Sequence, residues 1–195
     1  IIDGRRVVPG DRILGVPSRG LHSNGFSLAR AALFDRGRLP LDAELSGLDA
    51  PLGRALLLPT PIYAKTLRAL TSAVDVKALA HITGGGLEGN VPRVLPSGTV
   101  AAIDRSQFSV PAIFGHIARI GNVPRDEMFR TFNMGIGLVV VVAQADVVRA
   151  IEAANGTDES LVEIGSIVAA DDPGAACEVR FEDSSNVASH PAHSG

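Results

Sequence analysis

The sequence has little cysteine, few aromatic residues and no long hydrophobic run. The single cysteine, Cys177, excludes an internal disulfide and is typical of a reducing compartment. The longest apolar stretch, GIGLVVVVA at 135–143, is far too short to cross a bilayer. The net charge of −3 does not supply the basic surface with which proteins bind nucleic acid. We therefore expect a cytoplasmic protein with no nucleic-acid partner and no membrane partner.

Strand-like and helix-like segments alternate along the chain. The strand-like segments, with alternating or continuous apolar residues, lie at 11–18, 76–82, 98–104, 137–143, 160–170 and 177–183. The helix-like segments, with apolar residues at helical spacing, lie at 24–37, 61–73, 110–121, 124–132 and 145–156. The order predicts an α/β fold with a mixed β-sheet flanked by helices. We expect one domain over 1–183 and a disordered tail over 184–195.

The segment HITGGGLEGN fits the spacing of a dinucleotide-binding fingerprint. Gly84, Gly86 and Gly89 have the required pattern after a strand. A helix running on from them would carry Pro92 in its interior, where proline removes a backbone hydrogen bond and clashes. The sequence therefore favours a glycine turn followed by a short helix that starts at Asn90. A phosphate-binding P-loop is excluded because the chain contains no Gly-Lys pair.

Three successive glycines leave the backbone amides unshielded by side chains. Gly84, Gly85 and Gly86 could converge on an anion, because consecutive N–H groups form anion-binding concavities. The alternative is a tight turn packed against a neighbouring helix. His81, just ahead of them, is ambiguous, since a lone histidine at a strand end is more often structural.

Two other segments have a similar arrangement of polar residues and glycines. In PSRGLHSNGFSLAR, Ser23 and Asn24 stand where helix caps are expected, at a second junction between a strand and a helix. Two such junctions in one sheet can face a common crevice. In EMFRTFNMGIG, Asn133 and Met134 lie between a helix and the central strand. Taken alone, the first segment could contain only caps and the second only a loop with a buried methionine.

Together these segments resemble the aminoimidazole ribonucleotide synthetase family, also called phosphoribosylformylglycinamidine cyclo-ligase. The matching stretches are GDRILGVPSRGLHSNGFSLAR, LAHITGGGLEGNVPRVLP and EMFRTFNMGIGLVVVV, in the order that the family has them. LLLPTPIYAK and EIGSIV also fit, so the resemblance covers 1–168. The sequence departs from the family pattern at Arg19, where a small residue is common, and Glu88-Gly89 fills a variable part of the glycine motif.

The resemblance implies a step of purine biosynthesis. ATP activates the formyl oxygen of formylglycinamidine ribonucleotide, and the amidine nitrogen then closes the imidazole ring. His22 is the candidate catalytic residue, for proton transfer or polar positioning, with support of a neighbouring group as the alternative. The candidate substrate-binding and phosphate-binding residues are Ser23, Asn24, Gly25, Thr83, Gly84, Gly85, Gly86, Asn90 and Asn133.

The family's enzymes carry an N-terminal half before the region that matches IIDG. That half supplies most of the site for ATP and Mg²⁺, so the resemblance implies that this chain is a C-terminal domain. We expect no metal site and no bound cofactor in this chain, and no turnover by the chain alone. The expected partners are the ribonucleotide, the N-terminal domain and a second copy in a homodimer.

Two other functions stay open at this point. The same motifs resemble a wider superfamily with formylglycinamidine synthetase, thiamine monophosphate kinase, selenophosphate synthetase and a hydrogenase maturation protein. GLHSNG together with FNMGIG favours the cyclo-ligase. The chain could instead be a non-catalytic module that binds a phosphate or a partner domain, and binding without turnover would indicate this.

Overall fold

The fold is built on one six-stranded sheet. The computed structural model describes residues 1–182, so the predicted tail at 184–195 lies outside the described residues. The strands are Arg12–Pro17 (β1), Ala78–His81 (β2), Thr99–Asp104 (β3), Ile136–Val142 (β4), Val162–Ala169 (β5) and Glu178–Glu182 (β6). Their spatial order is β2-β4-β1-β5-β3-β6. Five of these strands lie within the predicted strand-like segments, and β4 begins one residue before its predicted segment.

Strand pairing is antiparallel except at one edge. β1 pairs antiparallel with β4 and β5, β2 with β4, and β3 with β5, whereas β3 and β6 run parallel. The predicted mixed sheet is therefore confirmed. β2 is an edge strand whose single neighbour is antiparallel, so it does not belong to the parallel βαβ unit that binds dinucleotides.

Seven α-helices cover the sheet within the described part of the chain. They are Phe26–Arg30 (α1), Leu52–Leu56 (α2), Ala64–Ala73 (α3), Gly86–Asn90 (α4), Ala112–Gly121 (α5), Arg125–Thr131 (α6) and Val147–Asn155 (α7). A π-helical segment at Ala31–Arg36 continues α1, and short 3₁₀ turns occupy Val91–Val94, Arg105–Gln107 and Gln144–Asp146. No helix in the described range is both long and apolar enough to span a membrane.

The alternation of side chains along β4 divides the core into two layers. Val139 and Val141 pack into one cluster, which Leu87 and Val91 cover from the glycine-rich segment. Leu138, Val140 and Val142 face the other side, where α3 and α7 cover them. All seven residues of β4 are buried, as expected for a continuous apolar strand inside a sheet. A third cluster lies among α1, α2, α5 and α6.

The prediction for the glycine-rich segment was right in one part and wrong in another. A short helix does follow Asn90, which is the N-terminal cap of the 3₁₀ segment Val91–Val94. The glycines do not all form a turn ahead of it, because Gly86 is already the first residue of α4 and Gly85 its N-terminal cap. Gly85 has a φ of +100°, a left-handed conformation that glycine adopts without steric cost. The expected effect of proline is visible one turn later, where α4 ends after five residues and Pro92 lies in the first turn of a 3₁₀ segment.

Candidate functional site

One hydrogen bond joins the two glycine-containing junctions. The Gly84 N–H donates to Asn24 Oδ1 at 2.9 Å. The prediction that Ser23 and Asn24 cap α1 was therefore wrong: Gly25 is the cap residue, and no side chain bonds to the helix start. His22 and Gly25 both have positive φ, which folds the chain so that Asn24 reaches the other junction. The two segments thus lie side by side, as a common crevice requires.

The glycines of the two junctions differ in whether close packing requires a residue without a side chain. A Cβ on Gly86 would collide with the Phe129 carbonyl, and a Cβ on Gly25 would collide with the Phe132 ring. These two glycines allow close packing on and after α6. Gly84 is different, because a Cβ there would have only Asn24 Oδ1 near it, at 3.7 Å, and otherwise open space. Packing therefore does not explain Gly84, which leaves its backbone open to a ligand.

The amides of the glycine triplet are less available than the sequence suggested. The Gly84 N–H is taken by Asn24, and the Gly86 N–H donates to the Thr83 carbonyl at 3.1 Å. Within the described range, only the Gly85 N–H of the three has no acceptor. An anion at this turn would therefore meet one unengaged glycine amide and must find its other donors nearby.

Asn90 holds the glycine turn in shape. Its side chain is buried and donates from Nδ2 to the carbonyls of Gly86 at 2.7 Å and Gly84 at 3.3 Å. The Thr83 hydroxyl donates to Asn90 Oδ1 at 3.0 Å. The amide of Asn90 is thus engaged within the turn, because these bonds satisfy backbone groups that a tight turn would otherwise leave unpaired.

Asn133 performs a similar task between β1 and β4. Its Oδ1 accepts from the Ser18 hydroxyl at 2.6 Å and from the Gly135 N–H at 2.9 Å, and its Nδ2 donates to the Gly20 carbonyl at 2.8 Å. The side chain is 1% exposed. These bonds fix the segment that leads from β1 to His22.

His22 is a buried and unpaired imidazole at the end of this segment. It is 4% exposed, and neither ring nitrogen has a hydrogen-bond partner within residues 1–182. Burial lowers its pKa, and the nearby His81 and Arg19 lower it further. Its φ of +56° is uncommon for a residue with a side chain, and such conformations concentrate at functional sites. His22 is therefore a neutral imidazole, one donor and one acceptor, that makes no hydrogen bond to the described residues.

Tyr63 joins this site, although the sequence analysis did not select it. Its hydroxyl is also buried and unpaired within the described residues. Burial raises the pKa of Tyr63 to about 12, with a further contribution from Glu159. The Tyr63 ring meets His81 edge-on, with centroids 5.8 Å apart. Tyr63 is the only tyrosine of the chain and lies inside LLLPTPIYAK, which is the signal that could have identified it.

A surface cavity of about 400 Å³ opens beside His22. Ser23, Phe26 and the segment 56–59 form the rest of its wall. Ser23 is exposed and Asn24 is partly exposed, so polar groups from the first junction are accessible here. In residues 1–182, no three His, Cys, Asp or Glu side chains come together in a group that could hold a metal ion.

Comparison with known proteins places these motifs in a family. The family described as "AIR synthase related protein, C-terminal domain" matches residues 8–178. The chain belongs to this family. It is 54% identical over 169 residues to a phosphoribosylformylglycinamidine cyclo-ligase of Myxococcus xanthus strain DK1622, covering 87% of this chain and 49% of the relative. It is 60% identical over 147 residues to a protein of the same name from Anaeromyxobacter sp. strain Fw109-5, covering 75% and 42%.

The chain thus spans about half the length of these curated relatives. Among solved structures, a thiamine-monophosphate kinase from Stenotrophomonas maltophilia K279a has a TM-score of 0.57 at 20% identity, covering 89% of this chain and 51% of that one. The hydrogenase maturation protein HypE in complex with ATP has a TM-score of 0.55 at 18% identity, covering 91% and 49%. At these identities the two structures establish the shared fold alone.

Proposed function

We propose that this chain is the C-terminal part of an ATP-dependent cyclo-ligase that converts formylglycinamidine ribonucleotide to aminoimidazole ribonucleotide, ADP and phosphate. The observation that carries the proposal is the 54% identity to a protein of that name over 169 residues. The family model that matches residues 8–178 covers all three long motifs. The bond between Asn24 and Gly84 supports it, because it gathers two of those motifs at one place.

The substrate phosphate binds at the joined junctions in this proposal. The Gly85 N–H, the Ser23 hydroxyl and the backbone of Gly25 are the nearby groups that can face a phosphate oxygen. Thr83 lies beside them, but its hydroxyl hydrogen is donated to Asn90, so it can donate to the phosphate only if that bond is released. His22 then takes or gives a proton, or orients the substrate, from its neutral form.

Asn90 and Asn133 act on the substrate indirectly in this account. Both side chains are almost fully buried and make three or more internal hydrogen bonds. Their amides hold the glycine turn and the approach to His22 in place, so we assign them a positioning role. Direct contact of either amide with the substrate would require some of these bonds to break.

The residues described here do not fit a site for Mg²⁺, the metal that would accompany ATP. Mg²⁺ prefers carboxylate and other oxygen ligands grouped around one point, and residues 1–182 provide no such group of acidic side chains. We therefore derive no step through ATP or metal from this chain. The proposal assigns both to the remaining half of an enzyme of the relatives' length, and it predicts no turnover by the 195-residue chain alone.

Assembly into a homodimer and a cytoplasmic location complete the proposal. Large apolar side chains are exposed at Ile1, Val8, Leu57 and Ile62, and the last two are 78% and 87% exposed. We propose that some of these side chains contact the second copy, since contiguous apolar surface marks sites that bind other protein segments. Sedimentation of the chain at high concentration tests self-association, and a strict monomer would contradict it. The single cysteine supports a reducing compartment.

The alternative functions have weaker support. The kinase and HypE share the fold at 18–20% identity, whereas the relatives named as cyclo-ligases reach 54–60%. A non-catalytic binding module is separated from the cyclo-ligase domain by joining the chain to the N-terminal half of a cyclo-ligase relative, because only the cyclo-ligase domain should then support ring closure. Two further measurements test the chain alone. Calorimetric titration of the chain with formylglycinamidine ribonucleotide should show binding, and a ring-closure assay with ATP should show no product. Product formation would contradict the proposal that ATP and Mg²⁺ bind in the remaining half of the enzyme. Absence of ribonucleotide binding would contradict the proposed substrate site.

A further inference from the structure

We propose that the Tyr63 hydroxyl and the His22 imidazole together form a subsite for a neutral amide group of the substrate, separate from the phosphate subsite at the glycine turn. The inference rests on the proposed function, because the ribonucleotide carries both an N-formyl amide and a phosphate. It adds Tyr63 as a residue that contacts substrate.

Gly137 shows that the two polar groups converge on one point. A Cβ on Gly137 of β4 would collide with the Tyr63 hydroxyl and would lie 2.8 Å from His22 Cε1 and 3.4 Å from His22 Nδ1. A residue with a side chain cannot occupy this position unless Tyr63 or His22 moves away. The glycine therefore keeps the hydroxyl and the imidazole together over the strand.

The two groups are buried without a partner. Tyr63 is 9% exposed and His22 is 4% exposed, and the Tyr63 hydroxyl and both His22 nitrogens are the unpaired buried side-chain atoms found within residues 1–182. Buried polar atoms in native proteins are almost always hydrogen-bonded, so three unpaired polar atoms at one place need a common explanation. A guest with its own donor and acceptor would satisfy them together.

The electrostatics favour a neutral guest. The titratable groups facing the pair are His81 at the end of β2, Arg19 after β1, and Glu159 after α7. Arg19 and Glu159 form an ion pair at 3.3 Å, so their charges offset each other. Burial keeps the phenol protonated and the imidazole uncharged at neutral pH. A phenol donor beside a neutral imidazole, itself one donor and one acceptor, suits an amide better than an anion.

His22 connects the two subsites, because it lines the surface cavity and lies beside the Tyr63 hydroxyl over Gly137. His22 lines the cavity of about 400 Å³ and lies two residues before Asn24, which bonds to Gly84. A ribonucleotide with its phosphate at the joined junctions can thus direct its other end towards His22 and Tyr63.

The test uses two small probes on the intact 195-residue chain. Formamide represents the neutral amide and inorganic phosphate represents the anion. In NMR titrations, formamide should shift the ring signals of His22 and Tyr63, and phosphate should shift the amide signals of Gly84 and Gly85. Tyr63→Phe, which keeps the ring, should weaken formamide binding roughly three- to tenfold, as the loss of one neutral hydrogen bond implies. Ser27→Ala, an exposed change on α1, is the matched control and should alter neither titration.

Each outcome bears on one subsite. Formamide that leaves the His22 and Tyr63 signals unmoved, or that binds Tyr63→Phe as well as the wild type, overturns the inference. Phosphate that leaves Gly84 and Gly85 unmoved contradicts the phosphate subsite of the proposed function, and the formamide titration still decides the inference. Shifts of His22 by phosphate in place of formamide would also overturn it.

Discussion

Asn24 and Gly84 are joined by a hydrogen bond although sixty residues separate them in the chain. The sequence suggested instead that Asn24 caps α1 and that the Gly84 amide is free to bind an anion. The effect of the bond is to fix the loop after β1 against the loop after β2. The proposed phosphate subsite depends on this contact, because the Ser23 hydroxyl and the Gly85 N–H belong to different loops.

Gly84→Ala should impair ribonucleotide binding without unfolding the protein. A methyl group there meets only Asn24 Oδ1, at 3.7 Å, and Gly84 does not have a positive φ, so the variant should fold normally. The methyl group would stand where the phosphate approaches the turn. We expect binding at least tenfold weaker, about 1.4 kcal/mol, by calorimetric titration.

Gly89→Ala is the matched control for that experiment. Gly89 lies in α4, the short helix that follows Gly84, has no positive φ, and has open space around the position of a Cβ. The affinity of the Gly89→Ala variant for the ribonucleotide should stay at the wild-type value. Equal weakening by both alanines would indicate a general disturbance of α4, and no weakening by either would contradict the phosphate subsite.

Asn133→Ala should destabilise the fold strongly. The change would leave the Ser18 hydroxyl, the Gly135 N–H and the Gly20 carbonyl without their buried partner. We expect the free energy of unfolding in urea to fall by about 3 kcal/mol. The exposed Asn155→Ala serves as control and should change it by less than about 0.5 kcal/mol. A loss of under about 1 kcal/mol for Asn133→Ala would argue against the positioning role.

Tyr63→Phe should have the opposite effect on stability. The Tyr63 hydroxyl is buried without a partner, so the folded state bears the cost of removing it from water. Its removal should raise the free energy of unfolding by about 1 kcal/mol while the aromatic packing stays in place. Thermal and urea unfolding of the unliganded chain measure this. A destabilisation of similar size would show that the hydroxyl has a structural partner, contrary to its proposed role in substrate binding.

His22 should make the folded chain less stable as the pH falls. Burial, His81 and Arg19 lower its pKa below the ordinary value of 6.5, so the unfolded chain binds a proton where the folded chain does not. The contribution of neutral His22 to the free energy of unfolding is fully present above pH 6.5. It is lost as the pH falls from there towards the lower pKa of His22 in the folded state. In His22→Asn, which also tolerates positive φ, this component should disappear. Parallel loss of stability in both proteins between about pH 7.5 and 5.5 would contradict the account.

The sheet and helices could be predicted because their patterns are local. The apolar run of β4 and the alternation of Val179 and Phe181 with exposed residues in β6 follow from which faces of a strand are buried. The family could be predicted from long motifs for the same reason. Neither inference needs to know which distant residues meet.

Two errors are local, because the short helices α2 and α4 were not among the predicted helix-like segments. The other errors concern contacts between distant segments. Ser23 and Asn24 have the composition of helix caps, and only the folded chain shows that the partner of Asn24 lies sixty residues away. The tight packing of Gly86 on α6 likewise could not be read from three consecutive glycines. Tyr63 was missed because its meeting with His22 over Gly137 depends on three separate elements.

Ring closure by a chimera tests the central claim most directly. In this experiment the 195-residue chain replaces the matching part of the Myxococcus xanthus cyclo-ligase, and the purified chimera receives formylglycinamidine ribonucleotide and ATP. The account predicts ATP-dependent formation of aminoimidazole ribonucleotide, reduced when the same chimera carries Gly84→Ala and unchanged when it carries Gly89→Ala. A chimera that is folded and soluble but forms no product would contradict the account.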